Sequence, residues 1–340
     1  MNKYAVEARH RRRSLLIVEG KHEKESLFGL LFECFPELDI RKEDVWIYGT
    51  NIYRLYDDIV KEYGEEWTRD GSDVDLPFVI SKKEQLETVH YKDDFTNIML
   101  VFDYERHDPQ YSESKITEMQ EYFCDMADIG KLYLNYPMIE AYQHLKEIPD
   151  AEYAERKVPV SLQPGTKYKN LVKKESAVEK SVEFPNRIED LLSEGKYKIS
   201  DLALRARCRK AILDISSLEQ EKELETALLG IEDEKTRTTL KYQLKNWIEK
   251  MNYTQFQESY WSYMRKIFQQ IIRHNLCKAN RIENGEYFLQ EEQMKTYFHQ
   301  MDLTKILRIQ NETSRDEKTG FIWVLSTCMF VIPDYNFKLV

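Results

Sequence analysis

Ser14-Leu15-Leu16-Ile17-Val18-Glu19-Gly20 is a run of branched apolar residues that stops at an acid and a glycine. A run this short, apolar at nearly every position, fits a strand buried on both faces of a sheet. The Glu-Gly pair then opens a loop at the strand's C-terminal end. Downstream, Lys21 to Phe35 carries Leu27, Leu30, Leu31 and Cys34 at helical spacing, and Pro36 closes that helix. Val45-Trp46-Ile47-Tyr48 predicts a second strand, and Gly49-Thr50-Asn51 opens a helix to about Tyr63 with Thr50 or Asn51 as its cap. Residues 64–94 read as a polar insertion with a short strand at Phe78-Val79-Ile80. Asn97 to Phe102 predicts another buried strand, ending at Asp103-Tyr104-Glu105. A helix over Ser112 to Met126, a strand over Lys131 to Leu134 and a helix over Met138 to Leu145 follow. Strands alternating with helices define an α/β unit with a parallel sheet and helices on both faces.

The pattern changes near residue 150. Residues 151–185 are irregular and include Pro159, Pro164 and Pro185, and residues 186–310 read as a series of helices. Trp247, Tyr260, Trp261, Tyr263 and Phe268 recur at helical spacing and belong to a packed core. Phe321 to Ile332 is a late strand or a buried helix. The expected organisation is an α/β unit over residues 1–150 and a mainly helical region over residues 151–340.

Composition bounds the function. Hydrophobic residues make up 42% of the 340, enough for a real core, and 11 Gly with 9 Pro leave little room for long disordered tracts. A net charge of −10 excludes a protein that coats nucleic acid indiscriminately. Local basic clusters remain. Arg9-His10-Arg11-Arg12-Arg13 lies directly before the first strand, as a phosphate contact or a solvated face, and Arg205, Arg207, Arg209 and Lys210 offer the same choice. Cys34, Cys124, Cys208, Cys277 and Cys328 are dispersed, with no CxxC and no zinc-spaced histidine, which points to core thiols in a reducing cytoplasm. The N-terminus lacks a signal-peptide apolar region, and Phe321 to Ile332 is too short to span a bilayer. A cytoplasmic protein without membrane contact is expected.

Acids at strand ends carry the chemistry. Glu19 and Asp103 each follow an apolar strand, and α/β proteins place their sites at that C-terminal edge. Asp103 and Glu105 are two apart, so an extended backbone aims both to one side. If the strands are neighbours, Glu19 joins them. Mg²⁺ takes oxygen ligands and keeps several waters, so two or three carboxylates suffice, and Mn²⁺ can substitute. Such a grouping suits phosphodiester hydrolysis, in which metal ions neutralise phosphate oxygens and acidify a water while a carboxylate relays a proton. Asp108 stands close enough in sequence to serve as an alternative ligand. Lys21 is a phosphate-steadying cation or a solvated lysine, and His22 and His107 lack partners at ligand spacing.

The combination Leu16-Ile17-Val18-Glu19-Gly20-Lys21-x-Glu23 followed by Leu100-Val101-Phe102-Asp103-x-Glu105 resembles the Toprim domain, whose pattern is a strand-end Glu-Gly and a later Asp-x-Asp. Glu105 stands where the pattern has Asp. A further segment, Leu132-Tyr133-Leu134-Asn135-Tyr136-Pro137-Met138-Ile139-Glu140-Ala141-Tyr142-x-His144, is similar to one in Toprim nucleases of phage-defence islands, most of all the AriB effector family of PARIS systems. Pro137 suits the first turn of a helix; either Glu140 then faces the acids or the helix N-terminus holds a phosphate, and His144 shares the face of Glu140. The resemblance covers roughly residues 12–150. It implies a Toprim-like fold and an Mg²⁺-dependent endonuclease with Glu19, Asp103, Glu105, Lys21 and Glu140 as catalytic residues and Glu19, Asp103, Glu105 and Glu23 at the metal. It further implies a toxin of abortive infection that cleaves tRNA, is restrained by an ABC-type ATPase sensor, and acts as a homodimer once released. The helical region then serves substrate recognition, dimerisation or partner docking.

Three other readings compete. Glu19-Gly20-Lys21 fits the Glu-x-Lys core of PD-(D/E)xK nucleases, but only 18 residues precede it and they supply no acid-bearing strand. A DNA-directed Toprim nuclease shares the same acids. A non-catalytic module could instead hold a basic partner on its acidic edge. Phosphate-loop NTPases and dinucleotide-binding folds are excluded, since neither GxxxxGK[ST] nor GxGxxG occurs.

Overall fold

A computed structural model describes residues 13–69, 71–194, 198–216, 219–251, 253–287 and 290–340. The opening apolar run forms β1 (Arg13–Val18), in which Leu15, Leu16, Ile17 and Val18 are wholly buried. Each such side chain contributes about 1.5–3 kcal/mol on leaving water, which makes this strand the spine of the sheet. The chain then enters a π-type turn over Glu23–Phe28 that continues as α1 (Gly29–Cys34). β2 (Val45–Ile47) precedes α2 (Ile52–Tyr63). Ile52, Leu55, Tyr56 and Ile59 make the buried stripe of α2, Asn51 accepts the cap hydrogen bond from the Arg54 N–H at 3.1 Å, and Gly64 ends the helix at a φ of 85°.

Phe78-Val79-Ile80 is helical, not a strand. It lies in α3 (Leu76–Lys83). Asp75 caps that helix by accepting from the Phe78 N–H at 2.9 Å, and Pro77 occupies its first turn. These two start signals outweigh the strand propensity of a three-residue branched segment.

β3 (Phe95–Asp103) leads to α4 (Glu113–Tyr122), then β4 (Cys124–Asp125) and β5 (Gly130–Tyr136). Pro137 does not start a helix. It follows a cis peptide bond, and a 3₁₀ segment begins later, at Ile139–Gln143. Beyond it come β6 (Lys157–Pro159), α5 (Thr166–Glu175), α6 (Glu179–Val182), α7 (Phe184–Ser193), α8 (Leu202–Leu213), α9 (Gln220–Ala227), α10 (Glu234–Met251) and α11 (Tyr260–Asn284). α12 (Glu291–Gln300) and α13 (Leu303–Ser314) follow. β7 (Phe321–Trp323), β8 (Leu325–Ser326) and α14 (Val331–Asn336) complete the order. Phe321 to Ile332 is thus neither one strand nor one helix.

The main sheet runs β2-β1-β3-β5-β4, with β8 added along β5. β2, β1, β3 and β5 are mutually parallel, whereas β4 and β8 are antiparallel to β5. The protein is therefore α/β with a mixed, mostly parallel sheet flanked by helices and a helical C-terminal region. Contacts cross the boundary expected near residue 150. Ser326 pairs with Asn135, and the Lys131 ammonium and Tyr133 hydroxyl both donate to Asp334, each at 2.7 Å. On the other side, Phe268 of α11 packs against Phe35, and Arg265 donates to the Cys34 carbonyl. Among the described residues no helix is long and apolar enough to cross a membrane.

Candidate active site

Parallel register sets the first relation. β1 and β3 are neighbours with Val18 opposite Val101, so Glu19 and Asp103 leave the same edge of the sheet. The Asp103 N–H donates to Glu19 Oε2 at 3.4 Å, which fixes the two acids side by side. Asp103 is only 6% exposed. Burial, followed by the charges of Glu19, Glu140, Glu23 and Glu105, drives its carboxyl well above the ordinary range. The Glu19 carboxyl rises to about 8, chiefly through burial and then through Glu105. These mutual effects show that Glu19, Glu23, Asp103, Glu105 and Glu140 share one electrostatic neighbourhood.

Each acid has a local reason for its place. Glu23 is buried at the start of the turn after β1, and Gly20 gives it room. A Cβ at Gly20 would lie 2.9 Å from Glu23 Oε2, so any side chain there would push the Glu23 carboxylate from its place. Glu105 is not in extended backbone. Its φ of 38° is left-handed, and the bend still leaves it next to Glu19 and Asp103. The preceding Tyr104 anchors that bend: its carbonyl accepts from the Tyr53 hydroxyl at 2.9 Å and its hydroxyl donates to Asn311 at 2.7 Å. Burial and Asp108 raise the Glu105 carboxyl. Asp108 itself is occupied by the Asn51 amide at 2.8 Å and the Gln110 N–H at 2.7 Å, so it braces the loop.

Glu140 reaches the cluster from the 3₁₀ segment after β5. One carboxylate oxygen pairs with Lys169 at 3.0 Å, while its buried Oε2 has no hydrogen-bond partner among the described residues. Lys169 projects from α5 and is half-exposed. Burial opposes its charge, but Glu140, Asp103 and Glu23 outweigh that and raise its ammonium above the ordinary value. Asn135 completes the floor. Its amide lies 3.5 Å from Asp103 Oδ1, its Oδ1 accepts from the Ser326 hydroxyl at 2.9 Å, and the Ser326 N–H donates to Asn275 of α11 at 2.8 Å. A polar chain thus joins Asp103 to the helical region.

Several expected residues lie elsewhere. Lys21 points to solvent and pairs with Glu25 at 3.7 Å, so it is not in the cluster. His22 meets Ser26. His144 is buried between the Tyr168 hydroxyl at 3.0 Å and Glu175 at 3.2 Å, and burial lowers its imidazole to about 4, so it is a neutral structural group. Arg9, His10, Arg11 and Arg12 lie outside the described residues, and Arg13 pairs with Asp44 at 3.0 Å. Sequence reasoning missed Lys169, which lies beyond the irregular stretch after residue 150, and the Ser326 support of Asn135.

The donor set suits a hard divalent cation. Among the described residues no three Asp, Glu, His or Cys side chains close into a ready-made metal cage. The acids stand as a loose array around one lysine, and the unpartnered Glu140 oxygen and the raised Glu19 and Asp103 carboxyls mark an excess of negative charge that a cation would relieve. The chain matches no protein-family model, no curated protein and no solved structure.

Proposed function

We propose that the chain is a metal-dependent phosphodiester hydrolase, a nuclease. The observation that carries this is the convergence of Glu19, Glu23, Asp103, Glu105 and Glu140 on the C-terminal edge of two adjacent parallel strands, with Lys169 as their one close cation among the described residues. An array of buried acids costs stability unless a ligand repays it, so its presence favours function over packing. Glu19, Asp103 and Glu105, with Glu23 beside them, would hold Mg²⁺, which when bound would supply phosphate neutralisation and an acidified water.

The chain's own groups do the rest. Asn135 orients Asp103, and Gly20 lets Glu23 turn inward. Glu140 holds Lys169 over the acids, where the ammonium can meet a non-bridging phosphate oxygen. Burial and Glu105 raise the Glu19 carboxyl, and a cation held there would offset that crowding of negative charge.

The finer reading rests on the Toprim resemblance of the strand-end motifs. It assigns an endoribonuclease toxin of a PARIS-type anti-phage system, cutting tRNA as a homodimer in the cytoplasm after release from an ABC-type ATPase sensor. The test is sequencing of RNA and DNA ends after brief expression of wild type beside Glu19→Ala. New ends present only in the wild type, with Mg²⁺- or Mn²⁺-dependent cutting by purified protein, support the proposal. Toxicity that survives Glu19→Ala, or purified protein that never cuts RNA or DNA with either metal, overturns it in favour of the acidic binding module.

A further inference from the structure

Asp103 is the last residue of β3, and Glu105 lies just beyond it, past Tyr104. At a φ of 38° Glu105 stands in the left-handed region, which a residue with a side chain holds only where its surroundings enforce it. The enforcement comes through Tyr104. Its N–H donates to the Asn135 carbonyl at 3.0 Å, and its carbonyl accepts from the Tyr53 hydroxyl at 2.9 Å. Its ring is wholly buried and packs against Tyr111 and Tyr136, with centroids 5.7 and 5.2 Å away. The hydroxyl at the far end of that ring reaches α13.

α13 meets it with Asn311 and Ser314. Asn311 Oδ1 accepts from the Tyr104 hydroxyl at 2.7 Å and from the Tyr111 hydroxyl at 3.1 Å, which uses both of its lone pairs. The Ser314 hydroxyl lies 2.9 Å from the Tyr104 oxygen. Asn311 is 2% exposed, and its Nδ2 has no hydrogen-bond partner among the described residues. A leucine of similar size would fill the site without burying an idle amide. The asparagine is therefore kept for the two hydroxyls that its Oδ1 holds. α13 is itself fixed. Arg308 and, just past the helix end, Arg315 pair with Glu121 and Glu113 of α4, and the Gln310 side chain exchanges hydrogen bonds with the Trp323 backbone at 2.9 and 3.0 Å.

We propose that Asn311 is a positioning residue for the cation site. It holds Tyr104, and Tyr104 sets the bend on which Glu105 sits. The proposal rests on the reading of the acids as a divalent-cation site, and it gives α13 a part in that site.

Calorimetry with Mn²⁺ on the full chain, without substrate, tests it. Asn311→Leu is expected to weaken Mn²⁺ binding by about 10–100-fold, the usual effect of losing a group that orients a ligand. Tyr104→Phe keeps the buried ring and is expected to weaken binding to a similar degree, with the double variant no worse than the more affected single one. Gln310→Leu is the control. Gln310 is as buried on the same helix but holds the Trp323 backbone, so its loss should lower the melting temperature in EDTA and leave Mn²⁺ affinity at the wild-type value. Wild-type affinity in Asn311→Leu or in Tyr104→Phe overturns the proposal. So does an equal loss in Gln310→Leu, which would make the effect one of general destabilisation, and so do single losses that add in the double variant, which would mean that Asn311 does not act through Tyr104. If Asn311→Leu does not fold, Tyr104→Phe against Gln310→Leu decides. The nuclease reading fails separately: Mn²⁺ binding that drops in both variants, in a wild type that cuts neither RNA nor DNA, sinks the nuclease and leaves the positioning role intact. A wild type that binds no Mn²⁺ overturns both.

Discussion

Glu19→Gln is expected to stabilise the cation-free protein while abolishing cleavage. Burial and Glu105 lift the Glu19 carboxyl from 4.5 to about 8. Between those values the folded chain keeps a proton that the unfolded chain has released. The unfolded state is therefore favoured progressively as pH rises through that window, and the effect is absent below pH 4.5. At 1.36 kcal/mol for each pH unit, the loss reaches about 3 kcal/mol by pH 7. Solvent reaches part of the side chain, which roughly halves the figure to about 1–2 kcal/mol. Glutamine keeps the shape and does not titrate. Urea unfolding in EDTA should therefore show Glu19→Gln more stable than wild type by about 1–2 kcal/mol at pH 7, with the gap closing toward pH 4.5. Excess Mg²⁺ should narrow or reverse the gap, because a cation that binds only the folded wild type stabilises it by mass action. A variant no more stable than wild type at pH 7 in EDTA would refute the claim that Glu19 is held in a crowd of like charges.

Lys169→Met should lower the cleavage rate by about 10²–10³-fold, the usual loss of one charge-stabilising donor, whereas Lys21→Met should stay near wild type; equal effects on kcat would break the assignment. Gly20→Ala should cut activity by about tenfold with little change in unfolding free energy, because the new methyl displaces the Glu23 carboxylate, 2.9 Å away, rather than packed core. Retained activity would show that Glu23 is dispensable. Asp334→Ala leaves Lys131 and Tyr133 without their shared acceptor and should cost about 2–3 kcal/mol in urea unfolding; a loss below half of that would mean the C-terminal segment adds little to the sheet.

Strand-end acids were legible because they depend on local pattern. A buried parallel strand must be apolar along its length, so the first acid after it marks the sheet edge, as Glu19 and Asp103 do. Their adjacency was not in the pattern; it came from the β1–β3 pairing. Glu105 was placed by alternation that its left-handed backbone does not follow, yet the bend kept it beside the same neighbours. Lys21 misled because closeness in sequence says nothing of direction after a tight turn, and its side chain turns to Glu25. Lys169 carried no signal at all: one lysine among several on α5 is distinguished only by where α5 lies. The strand misread at Phe78–Ile80 shows propensity losing to a cap and a proline within three residues.

The β8 seam bears on the timing of synthesis. Asp103 leans on Asn135, and Asn135 leans on Ser326, 191 positions further along the chain. The strand edge that gathers the acids therefore lacks its last support until the chain has been made through Ser326. Under the proposed nuclease function, a polypeptide not yet made that far stays harmless beside the RNAs of the machine that makes it. Chains ending before Leu325 should accordingly be inert on expression, and a toxic one would show that the seam is dispensable.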